Sequence, residues 1–383
     1  MRVSGDWMAR PATQAVCAAL TGAGHQAFFV GGCVRNALLG VPVTDVDIAT
    51  EARPERVSEL AEAAGLRAVP TGAAHGTITV VSEGIAHEVT TFRRDVETDG
   101  RRAVIAYADD MRDDARRRDF TMNALYARPD GRVIDPLETG LADLQARRLR
   151  FVGTARNRIR EDYLRILRFF RFHAWYGDDA EGPDPDALAA CAELAEGLER
   201  LSRERIGAET AKLLAAPDPA PSVAIMARIG VLARILPGAD PAALAPLVHL
   251  EAEAGIAPDW RRRLACIGGQ APDERLRLSR DAARRIARLH AAVASGDAAG
   301  ALGYRHGAEL GRDALFLRAA LTGAPMPECW AAALARGAAA EFPVRARDLM
   351  PDHQGPALGR RLAELEARWI ASDFTLTRDA LLG

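Results

Sequence analysis

Apolar and polar positions change their period along the chain, and the change divides it. Residues 11–20 (PATQAVCAAL) have helical spacing with Pro11 suited to a first turn, and Gly22 and Gly24 end that helix. The run 27–30 (AFFV) is apolar throughout, as in a buried strand; Gly31-Gly32 then reads as a tight turn and 34–39 as a short helix stopped by Gly40. A strand over 43–50, a helix over 54–64, and strands over 77–81 and 85–92 joined by Ser82-Glu83-Gly84 follow. Segment 93–116 is polar, charged and poor in pattern, which predicts a mobile loop. Beyond Leu141 the strand signal fades into alanine, leucine and arginine at helical spacing, punctuated by Pro/Gly/Asp clusters at 177–186, 216–221 and 237–245. No repeat of fixed period is visible. The expected fold is an α+β N-terminal head, a small mixed sheet flanked by helices, followed by an all-α C-terminal half.

Length agrees with that division. A chain of 383 residues, 49% of them hydrophobic, exceeds what one core usually organises, roughly 250 to 300 residues, so at least two domains are expected, with a boundary near 140–150. The cysteines Cys17, Cys33, Cys191, Cys266 and Cys329 form no C-x-x-C pair; disulfide framework and zinc cluster are both disfavoured, and a reducing, cytoplasmic setting is expected. The opening MRVSGDWMARPATQ lacks the apolar core of a signal peptide, and no run of about 18 apolar residues occurs. A soluble protein with no membrane partner is the expectation.

Net charge is only −2, so the chain as a whole gives no electrostatic reason to expect nucleic acid. Its distribution does. From Arg147 to Arg171 there are nine arginines against Glu161 and Asp162, an excess of seven positive charges, interleaved with aromatic residues. A solvated helix face is the plainer reading of such a run. Lys212 is the only lysine and follows no glycine-rich loop, which excludes a P-loop.

Candidate chemistry begins at Asp45-Val46-Asp47. On a strand, residues i and i+2 share a face, and two neighbouring carboxylates are tolerable where they bind a hard divalent cation such as Mg²⁺; an exposed pair at a strand end is the competing reading. Gly31-Gly32, after a strand and opening a helix, offers backbone N–H groups to phosphate, with Arg35 one turn on to add a charged fork. Glu88, in the strand AHEVTTF, is the best-placed third carboxylate. His87 points to the opposite face and reads as structural, and His75 beside Gly76 as a turn residue. The run Gly22-Ala23-Gly24-His25-Gln26-Ala27 matches a dinucleotide fingerprint, but it follows a helix and leads into a strand, the reverse of the context that fingerprint needs.

Two further constellations stand out. In Arg117-Arg118-Asp119-Phe120-Thr121-Met122-Asn123-Ala124-Leu125-Tyr126 a basic pair and an acid precede an expected helical apolar run. Asp119 reads equally as an N-cap, whereas Arg118 and Asn123 are placed to reach phosphate and a sugar hydroxyl. Residues 160–171 (REDYLRILRFFR) predict a helix with an apolar stripe at 159, 166, 167, 170 and 174. Asp162, Arg165, Arg168 and Arg171, spaced by three, share another face. A surface salt-bridge ladder explains them, as does an acceptor beside an arginine fork facing a base.

Taken in order, these segments resemble class II tRNA nucleotidyltransferases, the CCA-adding enzymes, and the related bacterial poly(A) polymerases of the polymerase-β-like superfamily. VGGCVRNALLG resembles the family's nucleotide-binding turn, DVDIAT its metal motif, RRDFTMNALY its ribose motif, EDYLRILRFFRF its base-reading helix, and ERIGAE (Glu204 to Glu209) a stabilising element of its neck. The resemblance implies a catalytic head over 1–145, a helical neck over 146–212 and an RNA-binding body and tail over 213–383. It also implies that Asp45 and Asp47 hold two Mg²⁺ ions; that Gly32 and Arg35 hold the triphosphate; and that Arg118, Asp119 and Asn123 position it and check for a ribose. Asp162 and Arg165 would pair with CTP or ATP, supported by Arg168 and Arg171, and segment 93–116 would be the flexible element that switches from C to A. The family usually carries aspartate where this chain has Asn36. The implied partners are tRNA, through its acceptor stem and 3′ end, and CTP and ATP. Poly(A) addition, partial CC or A addition, and an inactive RNA-binding protein on the same scaffold are the alternatives.

Overall fold

The structure, a computed structural model, describes residues 1–99, 102–178 and 180–383. The chain divides into two compact units, Met1–Glu209 with Arg228–Arg234, and Thr210–Ala227 with Ile235–Gly383.

Strands occur only in the first unit: β1 (Phe28–Val30), β2 (Asp47–Thr50), β3 (Arg67–Gly72), β4 (Thr77–Ser82), β5 (Ile85–Thr91), β6 (Arg93–Asp99), β7 (Arg102–Tyr107), β8 (Tyr126–Ala127) and β9 (Val133–Ile134). Seven form one mixed sheet in the order β3-β4-β5-β2-β1-β8-β9. All its pairings are antiparallel except β2 with β5, where Asp47 faces Glu88 and Thr50 faces Thr91. Every residue of β1 is buried, as its unbroken apolar run requires of a central strand. Phe28, Phe92 and Tyr126 pack their rings between the strands and the segment 108–115. The helix Pro11–Thr21 forms as the spacing predicts, and Thr13 Oγ1 lies 2.9 Å from Nε2 of the fully buried His87, which confirms that histidine as structural. The glycine run 22–24 follows this helix and leads to β1, so the dinucleotide reading stays rejected.

Three expectations need correction. The strand expected over 43–50 begins only at Asp47, because its partner β1 pairs Phe28 and Phe29 with Ala49 and Ile48 and then turns away at Gly31 (φ 71°), leaving 43–46 no ladder on that side. Segment 93–116 is not a structureless loop. It folds as the β6–β7 hairpin and a helix Met111–Arg116, while Gly100 and Arg101 lie outside the described residues. A bulge between Asp95 and Glu97 shifts the strand phase there and hides the alternation. The helical run expected after Asp119 is a single 3-10 turn, Thr121–Asn123, which ends in β8, next to β1.

The second unit is all helix. Its core contains an ionic knot where a purely apolar one would be expected. Arg262, Arg263, Glu251 and Asp313 are all at most 2% exposed. Arg262 donates from Nε to Glu251 Oε1 and from Nη1 to Asp313 Oδ1. Arg263 donates from Nε to Glu251 Oε2, and its Nη atoms cap the carbonyls of Leu214, Ala216 and Pro217 at a helix end. Elsewhere in the unit the helices Ala299–His306 and Trp330–Ala339 meet backbone to backbone: a Cβ on Gly337 would sit 1.9 Å from the Gly300 carbonyl oxygen. Among the described residues, no helix is long and apolar enough to cross a membrane.

The ionic knot gives a direct test. Glu251→Ala removes the carboxylate that Arg262 and Arg263 share, leaving Arg262 to Asp313 and Arg263 to the helix-end carbonyls, and breaking one side of a buried pair costs about 3–5 kcal/mol. A substantial fall in the urea midpoint of the second unit is the expected result; an unchanged midpoint would show that the knot contributes nothing to stability.

Candidate functional site

The candidate carboxylates gather where β2 and β5 run side by side. Asp47 opens β2 and faces Glu88 in the parallel register, while Asp45 lies in the extended segment just before the strand. Asp47 is half-buried, and Asp45 and Glu88 are exposed. None of the three enters an ion pair among the described residues. Burial, then the charge of Glu88, raises the Asp47 carboxyl to about 6; Asp45 adds to the rise and Arg118 opposes it. Concentrated carboxylate charge of this kind suits a hard cation. Among the described residues, no three such donors close around one point.

The glycine turn lies at the same end of the two central strands, because β1 runs antiparallel to β2 and reaches Gly31 beside the start of β2 at Asp47. Gly31, at φ 71° and ψ −120°, holds a conformation that favours glycine and leads into the helix Gly32–Leu39. Its own N–H is bound to Leu125 O. A Cβ on Gly31 would lie 3.2 Å from Arg118 Nη1, and one on Gly32 would lie 3.8 Å from Arg35 Nη2. Two guanidinium groups thus crowd the turn. Arg118 is held by Asp114, to which it donates from Nη2 at 3.0 Å and from Nε at 3.3 Å. Burial pushes the Asp114 carboxyl up, but Arg118, Arg117 and the Tyr126 hydroxyl outweigh it and hold it down to about 2.

Arg35, only 6% exposed, is held without a carboxylate. It donates from Nε and Nη2 to Asn36 Oδ1, from Nη1 to Asn123 Oδ1 and from Nη2 to the Tyr176 hydroxyl oxygen, and it stacks 4.0 Å from the Tyr176 ring centroid. Asn36, where the resembled family usually has aspartate, therefore keeps the acceptor and drops the charge. From Asn123 the chain of bonds continues. Its Nδ2 donates to Asp119 Oδ1, and Asp119 Oδ2 accepts from Arg168 Nε at 2.9 Å and Nη2 at 2.5 Å. Burial pushes the Asp119 carboxyl up, yet Arg168 and the hydrogen bonds from Asn123, Arg168 and the Phe120 N–H bring it down to about 2. Glu209 accepts from Arg171 Nε at 2.6 Å, and the guanidinium groups of Arg35, Arg168 and Arg171 all lie within 5.3 Å of the Phe172 ring centroid.

The helix expected over 160–171 is interrupted. Ala155–Glu161 and Leu164–Tyr176 are separate helices, and Asp162 between them is extended, its Oδ1 accepting the Leu164 N–H. A short acceptor side chain competing for local backbone donors explains the break. The expected apolar stripe survives it: Ile159, Ile166, Leu167 and Phe170 are buried, and Ala174 is half-buried. Asp162 and Arg165 are both engaged, Asp162 Oδ2 with Arg205 Nη2 at 2.6 Å and Arg165 with Glu161 and the Arg158 carbonyl.

The sequence reading singled out the three carboxylates, the turn, its arginines and Asn123, which the structure brings together, and missed the parts of Asp114, Tyr126 and Tyr176 in holding those arginines. Asp114 was signalled by its spacing of three and four from Arg117 and Arg118. Glu209 and Arg205 sat within a recognised segment but without an assigned partner. Nothing in the sequence pointed to Tyr176.

Residues 27–150 match the poly A polymerase head domain family, and residues 183–243 match the probable RNA and SrmB-binding site of polymerase A. The human mitochondrial CCA tRNA nucleotidyltransferase 1 is 44% identical over 191 residues, which are 50% of this chain and 44% of that protein. A CCA-adding enzyme of Streptococcus pyogenes is 45% identical over 197 residues, 51% of this chain and 47% of that one. The matched segments therefore span less than half the length of either relative. A Bacillus stearothermophilus CCA-adding enzyme crystallised with CTP shares the fold at a TM-score of 0.70 and 28% identity, over 95% of this chain and 94% of that one.

The raised Asp47 carboxyl has a measurable consequence. The folded protein holds this proton more tightly than the unfolded chain between the ordinary value of 3.8 and about 6, so stability is lost as pH rises through that window. Asp47→Asn should therefore raise the melting temperature of the metal-free protein above about pH 7, by about 1–2 kcal/mol of stability, and the gain should vanish near about pH 4. A pH-independent gain in scanning calorimetry would mean that Asp47 carries no such charge penalty.

Proposed function

We infer, from the poly A polymerase head domain that residues 27–150 of this chain carry, that the protein adds CCA to the 3′ end of tRNA without a nucleic-acid template, consuming CTP and ATP and releasing pyrophosphate. The observation that carries the reading is the adjacency of the Asp45, Asp47 and Glu88 carboxylates to a glycine turn crowded by Arg118 and Arg35.

Asp45 and Asp47 would hold two Mg²⁺ ions, which when bound neutralise phosphate charge and lower the pKa of an attacking hydroxyl. Gly31 and Gly32 let the triphosphate approach the backbone, and Arg118 and Arg35 meet its charge. Asn123 and Asp119 act on the triphosphate and sugar by holding Arg35 and Arg168 in place. The RNA 3′-hydroxyl gives up its proton to solvent and attacks the α-phosphorus, a new P–O bond forms, and the α–β anhydride bond breaks to free pyrophosphate. Asp162 and Arg165 read the base edge, which takes the place of Arg205 and Glu161 as their partner, and Arg168 and Arg171 support them. The arginine-rich segment 147–171, in the neck assigned to 146–212, meets the acceptor stem through phosphate and shape. We assign 1–145 as the catalytic head and 213–383 as an RNA-binding body and tail. Buried, free Cys17, Cys33, Cys191 and Cys266 fit a reducing compartment, the cytoplasm.

Poly(A) addition is the second reading, favoured by the polymerase names of both matched families. Incubation of the protein with Mg²⁺ and a tRNA lacking its last three nucleotides separates the two. Two additions with CTP and a third only when ATP is present support CCA addition, and a long ladder with ATP alone supports poly(A). No extension with any mixture overturns both. Asp162→Ala should weaken discrimination among nucleotides more than triphosphate binding; retained preference for CTP and ATP would remove Asp162 from the reading of bases.

A further inference from the structure

We propose that Asp114 is a positioning residue for nucleoside triphosphate: it fixes the guanidinium of Arg118 so that Nη1 stands over the Gly31 turn, ready for phosphate oxygen. The proposal rests on the nucleotidyl-transfer reading of this turn.

Asp114 lies in the helix Met111–Arg116, whose first turn is capped by Asp110 Oδ1 accepting the Arg112 N–H. Its side chain is 1% exposed, so it cannot touch a ligand and acts only through its neighbours. Its two oxygens are fully used. Oδ1 accepts from Arg117 Nε at 2.8 Å. Oδ2 accepts from Arg118 Nη2 and Nε and from the Tyr126 hydroxyl at 2.6 Å. The Tyr126 hydroxyl also accepts from Arg118 Nε at 3.2 Å, and the Arg118 guanidinium lies 5.3 Å from the Tyr126 ring centroid. Tyr126 is itself placed by β8, opposite Val30, the residue before the turn.

These bonds engage Nε and Nη2 of Arg118 and leave Nη1 with no hydrogen bond among the described residues. Nη1 is the atom that a Cβ on Gly31 would approach to 3.2 Å. The backbone is pinned as well, because Arg158 Nη2 donates to the Arg118 carbonyl at 2.7 Å. A guanidinium clamped along one edge and bare at one corner is a donor whose direction is set before the ligand arrives. Such preorganisation spares the binding step the ordering of a long side chain. Arg117 shares the same carboxylate through its other oxygen and supplies the internal control.

Asp114→Asn, which keeps size and one acceptor but removes the charge, is compared with Tyr126→Phe and Arg117→Ala. CTP binding in the presence of Mg²⁺ is measured by titration calorimetry, together with KM and kcat for CTP and ATP and the melting temperature. Asp114→Asn should raise Kd and KM for both nucleotides roughly tenfold, with kcat changed far less. Tyr126→Phe should move KM in the same direction by a smaller factor, and Arg117→Ala should leave it unchanged. Unchanged KM in a folded Asp114→Asn protein, or an equal rise in Arg117→Ala, overturns the proposal. If Asp114→Asn does not fold, the contrast of Tyr126→Phe with Arg117→Ala decides: a rise in the first alone supports the proposal, and any other result overturns it. Wild-type protein that binds no CTP sinks the nucleotidyl-transfer reading and this proposal together, whereas normal wild-type binding with an unaffected variant sinks this proposal alone.

Discussion

The ion pair between Asp119 and Arg168 is the constraint on which the candidate site depends. Asp119 directly precedes the strand-and-turn segment that ends in β8, and Arg168 lies in the middle of the helix Leu164–Tyr176. Their bond ties the sheet, which carries the carboxylates and the glycine turn, to the helix that carries the other arginines. Its neighbours inherit their placement from it. Asn123 is fixed because its amide donates to the same carboxylate, and Arg35 because Asn123 then turns its oxygen toward it. A charge-assisted pair of this kind is directional as well as strong, which suits a junction between a sheet and a helix better than apolar packing would.

Arginine enrichment poses a physical problem that the first unit and the second unit meet differently. In the second unit Arg262 and Arg263 are neutralised by Glu251 and Asp313 and by helix-end carbonyls, all out of reach of water. In the first unit, rings as well as acids receive the arginines around the candidate site. Phe172 offers its ring to three of them, and Asp114 and Asp119 each hold a guanidinium by two bonds. The second arrangement leaves donor corners such as Arg118 Nη1 available, and the first leaves almost none.

Much of this was legible in the sequence, and the limits of legibility have physical causes. The helix at 11–20, the strand at Phe28–Val30 and the β4–β5 hairpin follow from period and turn chemistry, since burial of one face or of both writes itself into local spacing. Asp45, Asp47 and the glycine pair were visible because charge repulsion and positive φ restrict residue type at single positions. The β6–β7 hairpin was missed because a bulge breaks its phase, and the interruption at Asp162 because a side chain competing for backbone leaves the helical pattern on either side intact. Partnerships such as Arg171 with Glu209 join residues far apart in the chain, and neither residue's neighbours record them.

Asn36 gives the first unit one last property. With Asn36, Asn123 and Tyr176 as its partners, Arg35 sits inside the protein held by dipoles and an aromatic face, with no counter-ion in contact among the described residues. Burial accordingly lowers the pKa of its guanidinium. The fold therefore buries a positive charge that Tyr176 and the more distant Asp119 only partly offset, at a cost to stability. An anion bound beside the glycine turn would offset that cost, so occupancy there would add to the stability of the first unit.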